Sequence, residues 1–144
     1  VTTQTQKVIL LAALAIAGLL TLSPLNAQSR TVDFNIPFQF YAGQTTLPAG
    51  QYGMAFDHPL NRVLMSAASL DRALWILPQR ISGSGQDLAA GTVTLKFHRY
   101  GDTYFLREVW RNGRDEGLSL PMTKAEKRAA RDSNYRQVAL IHPM

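Results

Sequence analysis

Residues 92–111, TVTLKFHRYGDTYFLREVWR, decide the fold. Two runs rich in β-branched and aromatic residues flank Tyr100-Gly101-Asp102-Thr103, and a two-residue Gly-Asp turn between them makes a β-hairpin. With Gly101 and Asp102 at the tip, Phe97 is predicted to face Leu106, Leu95 to face Glu108, and Val93 to face Trp110. One face then carries Val93, Leu95, Phe97, Arg99, Tyr104, Leu106, Glu108 and Trp110. The other carries Thr94, Lys96, His98, Tyr100, Phe105, Arg107 and Val109, and is mixed.

Upstream of the hairpin, Val32, Phe34, Ile36, Phe38 and Phe40 alternate with Asp33, Asn35 and Gln39, the period of a half-buried strand. Pro37 has no N–H to donate, which marks this strand as an edge or as bulged. Gly43 to Gly50, GQTTLPAG, is turn chemistry. A second alternation, Tyr52, Met54 and Phe56, ends at Asp57-His58-Pro59, where the proline disfavours helix in the residue before it. Val63 to Met65 and Ala73 to Leu77 read as two further strands, and Ser82 to Gly91 as a Gly/Ser-rich loop. Downstream, Asn112-Gly113 makes a turn. Thr123 with Glu126 three residues on is a reciprocal capping box that starts a helix running to Asp132. Tyr135 to His142 closes the chain as a last strand. The expected fold is mainly β, a small antiparallel barrel or sandwich of six to seven strands with one α-helix near the C-terminus.

The N-terminal stretch follows a different grammar. Lys7 precedes an apolar run from Val8 to Leu20, then come Pro24 and Leu25-Asn26-Ala27, the order of a charged region, an apolar core and a cleavage site. Thirteen residues give about 20 Å of helix, short of the ~30 Å hydrocarbon core of a bilayer. Residues 1–27 are therefore expected to be a signal peptide cut after Ala27. Residues 28–144 are expected to be one exported domain, periplasmic or extracellular, with no transmembrane span. The chain has 15 Lys and Arg against 10 Asp and Glu, and removal of Lys7 leaves 14 against 10. That balance permits attraction to anionic surfaces without naming one. The absence of cysteine removes thiol catalysis, all-thiolate zinc sites and disulfide staples from consideration.

Candidate chemistry is sparse. The predicted register places Glu108 on the apolar face beside Arg99, either as a carboxylate placed for acid catalysis in a small hydrolase or lyase, or as an inward Arg–Glu pair that fixes register. His98, Asp102 and His142 are residue types used in acid–base and metal chemistry, but their spacing matches no ligand or catalytic signature. No metal or cofactor is expected. Ser82-Gly83-Ser84-Gly85 lacks the frame of a nucleophile elbow. Trp75, Tyr104 and Trp110 are candidates for contact with an apolar ligand, within an aromatic set that would serve equally to fill a core. On the helix, Lys124, Lys127, Arg128 and Arg131 fall at i, i+3, i+4 and i+7, a basic stripe away from Ala129 and Ala130. Such a stripe suits either solvent or an anionic surface. It lacks the interleaved aromatics of a single-strand nucleic-acid platform, so nucleic acid is not an expected partner.

The string Phe97 to Trp110, with Ile36-Pro37-Phe38-Gln39-Phe40, Leu47-Pro48-Ala49-Gly50-Gln51-Tyr52 and the segment from Leu120-Pro121 to Arg131, resembles a group of small exported proteins of unknown function frequent in soil acidobacteria. The resemblance spans nearly all of the chain after residue 27. It implies an envelope setting and carries no activity. The expected function is a non-enzymatic binding or envelope-associated role, the carboxylate enzyme being the alternative.

Overall fold

A computed structural model describes residues 31–57, 60, 62–67, 73–83, 91–111 and 116–143. The expected signal peptide, most of the 82–91 loop, and the His58-Pro59 and Asn112-Gly113 turns lie outside these residues. Among the described residues eleven strands form: β1 (Thr31–Ile36), β2 (Phe40–Ala42), β3 (Thr45–Leu47), β4 (Gly50–Asp57), β5 (Arg62–Ala67), β6 (Ala73–Ile76), β7 (Gln79–Ser82), β8 (Thr92–Tyr100), β9 (Thr103–Arg111), β10 (Glu116–Ser119) and β11 (Arg136–Pro143). One helix, α1 (Lys124–Asp132), precedes the last strand.

The strands make two sheets, one of four in the order β1-β4-β5-β6, the other of seven built on β11-β8-β9-β10-β7 with β2 and β3 attached. The larger sheet curls into a half-barrel. The mainly antiparallel β architecture and the late helix match expectation, and the strand count is higher. The added strands have three or four residues each, too few to show a period.

Pro37 explains one of them. The alternation from Val32 to Phe40 reads as a single strand, but β1 ends at Ile36 and the chain changes sheets at the proline. β1 pairs with β4, whereas β2 pairs in parallel with β9 and antiparallel with β3. Without an N–H, Pro37 cannot extend the β1 ladder, so the break falls there. Phe38, released from the strand, stacks on Tyr104 with ring centroids 3.8 Å apart.

The inward faces of both sheets share one core. Val32, Phe34, Ile36, Tyr52, Met54, Val63 and Met65 from the smaller sheet meet Phe40, Val93, Leu95, Phe97, Leu106 and Val109 from the larger. Phe40 and Phe97 meet edge to face at 5.5 Å, and Phe40 and Tyr52 at 5.3 Å, so the aromatics interlock. At one end of the inter-sheet space, among Phe56, Arg62, Val109 and Leu118, a cavity of about 40 Å³ remains. That volume has room for a few waters and not for an apolar ligand.

The central hairpin follows the predicted register from Tyr100↔Thr103 to Phe97↔Leu106 and then departs from it. A bulge leaves Arg107 unmatched, so Lys96 faces Glu108, Leu95 faces Val109, Thr94 faces Trp110 and Val93 faces Arg111. A bulge sets two residues of one strand against one of the other, so every later side chain changes face. Val109 therefore enters the core, while Glu108 and Trp110 turn to the outer face, correcting the predicted inward positions of both. The freed Arg107 carbonyl accepts the Leu120 N–H at 2.7 Å, which satisfies the backbone at the irregularity.

Candidate functional site

The outer face of the hairpin is where the polar chemistry gathers, and α1 covers part of it. The Thr123 hydroxyl accepts from the Glu126 N–H at 3.2 Å, the forward half of the capping box. The return half is absent because the Glu126 side chain points the other way, into the sheet. Its carboxylate lies 3.2 Å from Arg107 Nη1, 3.3 Å from His98 Nδ1 and 3.4 Å from the donating Tyr100 hydroxyl. Glu126 is only 1% exposed, so these three groups, delivered by β8 and the β9 bulge, replace its water. Tyr135, just before β11, stacks on the His98 ring at 4.1 Å and closes the cluster from the side.

A carboxylate so enclosed offers nothing to a substrate. What it does is fix α1 on the sheet and set the helix's rotation about its own axis. With Glu126 inward, Lys124, Lys127, Arg128 and Arg131 all face solvent on the opposite side. Among the described residues none of the four lies within ion-pair distance of a carboxylate. Ala129 is half-buried and Ala130 exposed, so the inward side of the helix is narrower than the two alanines suggest.

Burial lowers the His98 pKa below its ordinary 6.5, with Glu126 opposing the shift and Arg107 adding to it. Burial also raises that of Tyr100, Glu126 reinforcing it, so the phenol remains a donor. The folded state thus favours neutral imidazole. Its contribution to stability is complete above pH 6.5 and is lost as pH falls through the lowered value. The unfolding midpoint is expected to fall as the pH drops from 6.5 through the lowered value. His98→Gln should flatten that segment of the profile; an unchanged slope would assign the acid sensitivity to another group.

The other sequence candidates lie apart. Glu108 is not paired with Arg99: it accepts from Trp110 Nε1 at 2.6 Å and sits 3.4 Å from Lys96 Nζ, on the outer face and partly exposed. The pocketed acid required by the enzyme alternative is not formed at Glu108. Arg99 pairs with Asp102 at 3.1 Å across the turn. Trp75 is half exposed, with the Arg62 guanidinium 4.5 Å over its ring. Tyr104 is occupied by Phe38. Trp110 lies flat over Gly117 on β10, so close that a Cβ there would stand 2.7 Å from the indole. His142 rests against Phe34, and no group of three or more His, Asp or Glu suited to a metal occurs among the described residues.

Glu126, Arg107 and Tyr100 are the residues that sequence reasoning missed. A signal for Glu126 was present: it is the single carboxylate on the helix side opposite four cations. The bulge that aims Arg107 at it has no sequence period. The chain matches no known protein family, no curated protein sequence and no solved structure.

Proposed function

We propose that this is an exported, non-enzymatic envelope protein that docks on anionic phospholipid surfaces through α1. The observation that carries this reading is the clamped helix, whose inward Glu126 holds four cations outward in a fixed arrangement. Two exposed side chains lie just beyond the two ends of the helix, the apolar Met122 at 37% and the amphipathic Tyr135 at 53%, types suited to the headgroup boundary. The N-terminal run Lys7 to Ala27 supports export, which brings the domain to such a surface. Among the described residues no helix is long and apolar enough to cross a membrane, so contact through α1 is peripheral.

Each cation near an anionic leaflet contributes about 1 kcal/mol, so reversing two of them should weaken binding by about 30-fold or more. The test is co-sedimentation of the protein and of its Lys127→Glu/Arg128→Glu variant with phosphatidylglycerol-containing and with pure phosphatidylcholine vesicles. Because the N-terminal run is common to both proteins, only α1 differs. Parent binding that needs phosphatidylglycerol, weakens with salt and is lost in the variant supports the reading. Equal binding of parent and variant would overturn it.

A further inference from the structure

In the register of β8 against β11, Arg99 and Arg136 are direct cross-strand partners. Like charges placed directly opposite destabilise a sheet, and nothing in the backbone requires arginine at both positions. The two border a recess of about 280 Å³ at the hairpin tip, completed by Gly101 and Asn134.

Arg99 is held in place. Its Nε donates to the Gly101 carbonyl at 2.6 Å, Nη2 pairs with Asp102, and its guanidinium carbon lies 5.3 Å above the Tyr104 ring, itself stacked on Phe38. The Arg136 guanidinium has no partner among the described residues. Asp102 offers weak compensation, because its side chain is fully exposed and screened by water. A preorganised guanidinium and an unpartnered one on paired cross-strand positions, with Asn134 lining the same recess, make a donor set for a tetrahedral or planar oxyanion.

We propose that the recess between Arg99 and Arg136 is a binding site for a phosphate group. The ligand's charge relieves the opposition between the two guanidiniums, so the arrangement that is unfavourable when empty becomes favourable when filled. The site is separate from the basic face of α1: its residues lie at the hairpin tip, at the start of β11 and in the segment between α1 and β11.

The test compares thermal midpoints of the whole protein in phosphate and in chloride at matched ionic strength, with phosphate affinity taken from amide shifts of residues 99–101 and 134–136. Phosphate should raise the midpoint saturably. Arg136→Gln should raise the midpoint in chloride, by removing the opposed charge, and weaken phosphate binding by about tenfold or more, the loss of a charge-assisted hydrogen bond. Lys127→Glu/Arg128→Glu should leave the phosphate response intact, which separates this site from the vesicle reading. Glycerol phosphate and dimethyl phosphate identify the source: preference for the first assigns a terminal phosphate, and equal binding of the second a bridging phosphate of a lipid or polymer. A midpoint in chloride that falls in Arg136→Gln would make the arginine a structural residue and overturn the proposal. So would a phosphate response that survives the substitution.

Discussion

Glu126→Ala is expected to destabilise the protein by about 3–5 kcal/mol, the cost of breaking one side of a buried, hydrogen-bonded charge pair. The substitution strips Arg107 of its carboxylate while that arginine's Nε is already buried without a partner. It also removes the acceptor shared by Tyr100 and His98. For a domain of this size the loss corresponds to a fall in Tm of about 10–20 °C. Glu126→Gln should lose less, since its one amide oxygen can still accept from either Arg107 or Tyr100, which donate to opposite carboxylate oxygens in the parent. Chemical denaturation gives the free energy, and hydrogen exchange at the α1 amides locates it. If the alanine variant melts within about 1 kcal/mol of the parent, the carboxylate does not hold the helix, and the fixed basic face loses its foundation.

Phe97→Ala should cost a similar amount, about 3–5 kcal/mol, by another mechanism. The ring has no solvent exposure and meets Phe38 and Phe40 edge to face at 5.1 and 5.5 Å, where the two sheets come together. Truncation forfeits the transfer free energy of the ring, two aromatic contacts worth about 0.5–1.5 kcal/mol each, and the packing around the void. The larger sheet is pinned by its ladders, so the neighbours can collapse only in part. A lower denaturation midpoint with an unchanged slope is the expected signature; a loss below about 1 kcal/mol would mean that the core repacks freely. The two variants separate the interior from the outer cluster, since only Glu126→Ala should release α1 selectively.

Much of this was legible in the sequence, and the limits can be located residue by residue. Alternation gave the inward set Val32, Phe34 and Ile36, but could not show that Pro37 sends Phe38 and Phe40 to the other sheet. The Gly-Asp turn fixed the first four pairs of the hairpin. One unmatched residue at Arg107 then exchanged the faces of Glu108, Val109 and Trp110. The Arg99–Glu108 pair expected from the unbulged register gave way to Arg99 with Asp102 and Glu108 with Lys96 and Trp110. Thr123 announced the helix, yet the role of Glu126 as a partner of β8 and β9 rather than of its own cap depended on which surface lay beneath it.

By itself the sequence determined the β-rich class, the main hairpin, the late helix and its basic stripe, because each is written in contacts between residues near one another along the chain. Periodicity, turn chemistry and capping are local, and local free energies can be read locally. Only the tertiary structure decided the division into two sheets, the bulge, the clamp on Glu126 and the opposition of Arg99 and Arg136. Those depend on pairings between segments far apart in the chain, where a shift of one residue changes every neighbour and no local pattern records the choice.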